Sequence, residues 1–223
     1  MVAKFADNRD PNSLASRMRN RRNQRFREAI EGFRPLNILD VGGTQAVWES
    51  IGFVGQHDIW ITLLNTQPVE TSYANVVSII GDARDMHEFR DRQFDVVYSN
   101  SVIEHVGGME DMRKMAQEIQ RVGKRYFVQT PNLYFPIEPH FVFPGFQFLP
   151  IPWRVYLVQR FNLGWMGGRE PDRQHAEHIV RSINLLSKTQ LRSLFPDADI
   201  TVERFFGFTK SLIVSSSLSV TTL

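Results

Sequence analysis

The strongest constraint on the fold is an alternation. Five short apolar runs, Asn37–Val41, Asp58–Leu64, Val76–Ile80, Phe94–Ser99 and Arg125–Gln129, are separated by stretches with helical or loop character. The runs are too short for helices and most are rich in β-branched side chains, which is strand behaviour. Each is followed by glycine or a polar residue that breaks it. Gln45–Ile51 suits a brief helix and Met109–Val122 a longer one, with Met112, Met115, Ala116 and Ile119 along one side. That spacing assigns the methionines to a core rather than to a ligand. Strands alternating with helices predict an α/β fold, a mostly parallel sheet with helices on both faces. In such sheets ligands sit beyond the carboxyl ends of the strands, near the point where strand order reverses. The rule singles out Asp40–Thr44, Asn65, Gly81–Arg84, Asn100–His105 and Pro131–His140, which should converge on one cleft.

The 223 residues suit a single domain, and 42% hydrophobic content suffices for a packed core. With no cysteine, disulfides, thiolate metal sites and cysteine nucleophiles are excluded. The first ten residues have no apolar core, so a cytoplasmic address is expected. The apolar region Phe141–Val158 is broken by Pro144, Pro150 and Pro152 and charged by Arg154. A membrane span needs roughly 20 continuous apolar residues, so this region predicts no span, although peripheral contact with lipid or a greasy substrate is compatible with it.

The domain, 1–223, reads as four parts. Residues 1–35 form a basic helical segment: Ser13 is the predicted cap, and Leu14, Met18, Phe26 and Ile30 supply an apolar side. Residues 1–36 hold nine Lys or Arg against four acids. Few aromatics interleave with these charges, unlike most phosphate-binding surfaces, so a solvated helix face is the plainer reading and a nucleic-acid partner is not expected. Residues 36–131 are the strand-rich half. Residues 132–184 are an irregular, proline- and aromatic-rich insertion, which suits a lid. Residues 185–223 hold a helix opened by the capping-box pattern Ser187-Lys-Thr-Gln190 and a hairpin turning at Gly207. No internal repeat is present, and no motif speaks to oligomeric state.

Three segments carry chemistry together. "ILDVGG" offers glycines where backbone can approach a ligand, followed by a helix N-terminus with free N–H groups. "IIGDARDM" puts a carboxylate beside a free N–H, and "FDVVYSNSVIEHV" leads a buried strand into a polar cluster. In this order and spacing they resemble the class I S-adenosylmethionine-dependent methyltransferases, in the small-molecule branch whose fourth-strand motif ends in Glu-His. The resemblance covers roughly residues 36–131. It implies a Rossmann-like seven-stranded sheet whose last strand is antiparallel, with S-adenosylmethionine as cofactor and S-adenosylhomocysteine as product. By the same resemblance, Asp40, Gly42 and Gly43 would hold the methionine part and Asn65 would meet the ribose. Asp82 and Ala83 would take the adenine, and Asn100 and Ser101 would line the cofactor's other side.

Three departures accompany the likeness. The family's first motif has further glycines where this chain carries Thr44 and Ala46, and a β-branched Thr resists positive φ. The ribose position is normally an acid, whereas Asn65 bonds hydroxyls without charge assistance. The insertion after Pro131 has no family template. Other nucleotide folds fit less well: "GGTQAV" lacks the glycine spacing of a dinucleotide fingerprint. Ser99-Asn-Ser-Val replaces the Asn-Pro-Pro-Tyr-like element of base-modifying enzymes.

Methyl transfer from a sulfonium is an in-line displacement in which the protein mainly aligns the acceptor. A hydroxyl acceptor also needs a base. His105 is the first candidate; its neighbour Glu104 would bind substrate or cap the next helix, and the plain alternative for His105 is a structural imidazole. His140, in Pro136-Ile-Glu-Pro-His140, is the second, held by prolines on an extended path. His175 and His178 share one helix face without a third ligand, so no metal is expected. The expectation is a methyltransferase acting on a small molecule, lipid-like or glycan acceptors included, with O-methylation preferred. The alternatives are a non-catalytic cofactor- or protein-binding module and, third, an RNA-directed enzyme.

Overall fold

The computed structural model describes residues 14–164 and 168–216, so the expected cap at Ser13 and part of the loop Gly164–Gly168 lie outside the described residues. Strands β1 (Leu36–Val41), β2 (Ile59–Asn65), β3 (Val76–Ile80), β4 (Val96–Asn100) and β5 (Tyr126–Pro131) run parallel. With β8 (Asp199–Phe205) and β9 (Phe208–Ser215) they form a seven-stranded sheet in the order β3-β2-β1-β4-β5-β9-β8. The last strand, β9, is antiparallel to both its neighbours. The chain lays β1, β2 and β3 outward, then returns to place β4 against the other side of β1, so the order reverses between β1 and β4. That reversal is where an open parallel sheet forms a crevice.

Both faces of the sheet are covered. On one, α1 (Leu14–Ile30) and α2 (Gln45–Ile51) bury Phe26, Ile30 and Trp48 against Tyr98 and Phe127. On the other, α3 (Met109–Val122) packs Met112, Met115, Ala116 and Ile119 beside Leu191 and Phe195 at α6 (Lys188–Leu194). The methionines are core, as their spacing implies. A capping box opens α6: Ser187 Oγ accepts from Gln190 N, while Gln190 Oε1 accepts from Ser187 N at 2.9 Å. The basic helix α1 is docked as well as charged. Its Arg22 pairs with Glu203 at 3.1 Å, each about 10% exposed.

The structure departs from the sequence reading between Pro131 and Asn184. Instead of irregular chain it holds a two-stranded hairpin, β6 (Ile137–Glu138) and β7 (Phe143–Pro144), then α4 (Ile151–Arg160) and α5 (Arg173–Arg181). The prolines that looked like breakers start α4: Pro150 is its cap and Pro152 lies in its first turn, where a missing N–H leaves no bond unmade. Asp172 caps α5 by accepting from His175 N at 2.7 Å. Phe141, Phe146, Val155, Val158, Ala176 and Val180 form a separate small core, with Phe141 and Phe146 stacked at 4.0 Å. The insertion's aromatics therefore split, because Tyr134, Phe148, Trp153 and Tyr156 are at least half exposed. Among the described residues no helix is long and apolar enough to cross a membrane.

Phe26 is fully buried, with ring centroids 4.8 Å from Tyr98, 5.2 Å from Phe127 and 6.1 Å from Trp48. Phe26→Ala removes this anchor of α1 and is expected to cost about 3–5 kcal/mol. Urea unfolding measures it; a loss below 1 kcal/mol would mean that α1 is not part of the cooperative core.

Candidate active site

The first loop of the cleft is shaped by two glycines. Gly42 has φ +77° and its Cα faces the Val102 side chain, which a Cβ would strike. At Gly43 a Cβ would fall on the Asp40 carboxylate. The demand for glycine ends there: Thr44 is extended, φ −132°, as the residue before α2. The departure at Thr44 therefore conflicts with nothing in this turn. Asp40 is 1% exposed and lies under the turn, where Oδ2 accepts from Trp48 Nε1 at 2.7 Å. Its Oδ1 has no hydrogen-bond partner. Burial pushes the carboxyl up to about 7, and the Trp48 N–H partly opposes that rise.

The neighbouring strand ends close on this turn. Gly42 N donates to Leu64 O at 2.8 Å, and Asn65 Nδ2 donates to Gly43 O at 3.0 Å. That bond uses the Asn65 amide nitrogen and leaves the side-chain Oδ1 outside it. Gly81 N donates to Asn65 O at 2.9 Å, which brings the Asp82 loop alongside. Asp82 is held by Arg84, whose Nη2 approaches to 2.6 Å; this bond, chiefly, keeps the carboxyl below its usual range. Arg84 also donates to Val106 O at 3.3 Å, tying the loop after β3 to the loop after β4. Ala83 packs against the core on the α3 face. Asn100 Oδ1 is buried without a partner. Ser101 takes the left-handed φ of 57°, an uncommon conformation for a residue with a Cβ, and donates to Gln129 Oε1 at 3.0 Å.

Beyond Ser101 the chain makes one 3-10 turn, Ile103–His105, and this turn assembles the second half of the site. Glu104 is fully buried: Oε2 accepts from Thr130 Oγ1 at 2.9 Å, while Oε1 has no partner. Burial pushes its carboxyl up to about 7. The exposed His105 meets His140 with their Nε2 atoms 3.1 Å apart and the rings perpendicular. His140 Nδ1 donates to Glu138 Oε1 at 2.7 Å, and Glu138 Oε2 accepts from Phe141 N at 2.6 Å. Partial burial, and after it the charge of His140, hold His105 down to about 4, against a hydrogen bond to the Ser182 backbone. Burial also pulls His140 down, but the Glu138 bond and the charges of Glu138 and Glu104 outweigh it and raise the imidazole.

The β6–β7 hairpin fixes Glu138, and Gly164 packs where a Cβ would strike the His140 carbonyl. Behind Glu138 is a cavity of roughly 250 Å³, lined in part by Met109, Met112, Phe141, Phe146 and Arg154. Arg154 has a buried Nε without a partner, and burial first, then Arg181, lowers its pKa.

The residues singled out from sequence thus fall into two groups along one sheet edge. Asp40, Gly42, Gly43, Asn65, Asp82, Ala83, Asn100 and Ser101 surround the reversal point, and Glu104, His105 and His140 converge beyond β4 and β5. Glu104 and His105, adjacent in sequence, lie close at their ligand atoms because a tight turn carries both. His175 and His178 lie on α5, and His57 and His87 are exposed. Sequence reasoning missed Trp48, Thr130 and Arg154. Thr130, beside the strand-ending Pro131, was the one with a local signal.

Residues 46–126 match the family model described as a methyltransferase domain. A stretch of 56 residues, 25% of this chain, is 34% identical to an uncharacterized protein of Mycobacterium tuberculosis. The match covers 19% of that protein, about a fifth of its length. The backbone resembles a SAM-dependent methyltransferase from Aquifex aeolicus, with TM-score 0.53, 13% identity, and coverage of 96% of this chain and 97% of that one. It also resembles the 1,6-didemethyltoxoflavin-N1-methyltransferase of Burkholderia thailandensis, solved with bound 1,6-didemethyltoxoflavin and S-adenosylhomocysteine. There the TM-score is 0.55 and the identity 14%, over 96% of this chain and 83% of that one. At such identities the likeness concerns the fold.

The Asp40–Trp48 bond gives a pH test. Burial raises the folded carboxyl above its unfolded value, so the stability of neutral Asp40 is lost as pH rises through about 7. The Trp48 N–H favours the carboxylate and limits that loss. Trp48→Phe should therefore destabilise by about 1–3 kcal/mol, with the deficit growing as pH rises through about 7. Denaturation across that range measures it; a deficit independent of pH would show that the bond does not hold the carboxylate.

Proposed function

We propose that this chain is a class I S-adenosylmethionine-dependent methyltransferase and that it methylates the hydroxyl of a small acceptor held behind His140. The observation that carries the reading is the imidazole pair at 3.1 Å, backed by the buried Glu138 and placed beside a cavity at the end of β4 and β5. In this reading S-adenosylmethionine lies across the reversal between β1 and β4. The orphaned Oδ1 of Asp40 and the glycine turn receive its methionine end. The side-chain Oδ1 of Asn65 accepts from the ribose, Asp82 and Ala83 take the adenine, and Asn100 and Ser101 close the other side.

The cofactor supplies an activated methyl group, and the protein aligns the acceptor with it. As the acceptor oxygen forms its bond to the methyl carbon, the carbon–sulfur bond breaks and its electron pair leaves on a neutral thioether. The hydroxyl proton has to go elsewhere. His140 is the better acceptor, because Glu138 stabilises its imidazolium. His105, held neutral, lies with Nε2 against His140 and supports the imidazolium there. The cavity lining mixes apolar side chains with the polar groups Glu138, Gln147, Arg154, Asn184 and Gln190, and Arg154 suits a compact acceptor bearing an acidic substituent. Residues 132–184 act as its lid and exclude water.

Calorimetry with S-adenosylmethionine and S-adenosylhomocysteine tests the cofactor half, and a labelled-methyl screen over small hydroxylated acceptors tests the rest. Asp82→Ala is expected to weaken S-adenosylhomocysteine binding about tenfold, the loss of one charged hydrogen bond. His140→Ala is expected to lower kcat by about 10²–10⁴ and leave that binding unchanged. Equal losses in both by His140→Ala would reduce the imidazole to a structural strut. Label appearing on nitrogen or carbon across the panel would overturn O-methylation.

A further inference from the structure

The imidazole pair poses a problem of protons. His140 is tied through Nδ1–H to the Glu138 carboxylate, which leaves its Nε2 with a bare lone pair when the ring is neutral. His105 turns Nε2 toward that lone pair, and the Ser182 backbone hydrogen-bonds its ring. With Nε2 against His140, Nδ1 is the nitrogen left for Ser182. A backbone carbonyl there takes the ring's one hydrogen, so whenever His140 is neutral two bare nitrogens face each other at 3.1 Å. Two lone pairs at that separation repel, and either a proton on His140 or a metal ion between them relieves the repulsion. Against them stands Glu104, whose ligand oxygen lies within 4.8 Å of both nitrogens. Its buried Oε1 has no partner.

We propose that Glu104, His105 and His140 bind a divalent transition-metal cation of the zinc class. The spacing fits. With metal–nitrogen bonds of about 2.0–2.1 Å, two imidazoles on a tetrahedral ion stand about 3.3 Å apart. On adjacent octahedral positions they stand about 2.9 Å apart, and 3.1 Å lies between the two. Two imidazoles and one carboxylate leave at least one position open, the arrangement of a catalytic rather than a structural site. Glu138 completes it, because a carboxylate on the far nitrogen orients a ligating histidine and makes it more basic. Imidazole donors favour zinc, iron, nickel or copper over magnesium, which prefers oxygen and water.

The proposal rests on the methyltransferase reading and deepens it. An acceptor hydroxyl coordinated at the open position would lose its proton to solvent and attack the methyl group as a metal-held alkoxide. His140 would then serve as ligand instead of base.

The test uses the full chain, stripped with chelator and titrated with zinc, with magnesium as control. One zinc ion per chain is expected, by calorimetry and by elemental analysis after desalting. His105→Ala and Glu104→Gln should each weaken binding at least tenfold, and Glu138→Gln about 10- to 100-fold. His105 is exposed, so His105→Ala should keep the wild-type melting temperature in chelator and lose only its rise with zinc. S-adenosylhomocysteine affinity should be unchanged in the same variant. No zinc binding, or binding equal in wild type and variants, overturns the metal site and leaves the methyltransferase reading intact if S-adenosylhomocysteine still binds. Loss of S-adenosylhomocysteine binding by the stripped wild type would sink the placement of the cation on the acceptor side.

Discussion

The cleft depends on β1 being hydrogen-bonded along both edges. Its register with β2 runs from Leu36 opposite Ile59 to Val41 opposite Leu64, and with β4 from Ile38 opposite Val96 to Val41 opposite Ser99. Parallel strands held in this way end together, so three loops must leave the sheet at the same level. The Asn65 side chain on Gly43 and the Arg84 side chain on Val106 then stitch those loops across the edge. A one-residue slip of β1 would send Asp40 to the opposite face and destroy the turn, because side chains alternate with period two. Buried apolar neighbours on both faces hold the register.

Three buried carboxylates mark the site, and they are satisfied to different degrees. Glu138 has both oxygens bonded within the protein, to His140 and to Phe141 N. Glu104 and Asp40 each have one oxygen bonded and one not. An unpaired buried polar atom costs about 1–3 kcal/mol, a penalty that a fold without function has no reason to carry twice along one sheet edge. The pattern separates roles. Glu138 serves the hairpin and its histidine, whereas Asp40 and Glu104 each keep one buried oxygen without a protein partner.

The sheet was legible because its signals are local. Gln45–Ile51, Val76–Ile80 and Met109–Val122 appear with the boundaries their periodicity implies, and the other parallel strands differ by one to two residues. The glycine turn was legible for the same reason, although which glycine carries the positive φ was not. The helices α4 and α5 were hidden by Pro150 and Pro152, since proline marks a helix start as readily as a helix end. The Trp48–Asp40 bond was invisible because it depends on α2 folding back beneath its own turn. His105 and His140 were each found from sequence, yet their contact joins residues 35 apart across two loops, and no spacing rule reaches that far.

The acceptor side is built on different physics from the cofactor side. Asp40, Asn65 and Asp82 are placed by a continuous sheet and two large cores. His140 and Arg154 are placed by a small core of their own, held to the rest through strap contacts such as Asn184 N on Glu104 O and Leu133 N on Leu186 O. Separate cores open at different free-energy cost, and the smaller one with fewer buried contacts opens first. On the proposed reading the lid would therefore part from the sheet edge before the cofactor loops lose their packing. A cation shared by Glu104 on the sheet side and His140 on the lid side would oppose that opening, since metal bonds would then join the two cores. Acceptor binding, lid closure and metal occupancy would on this geometry be coupled through a single pair of imidazoles.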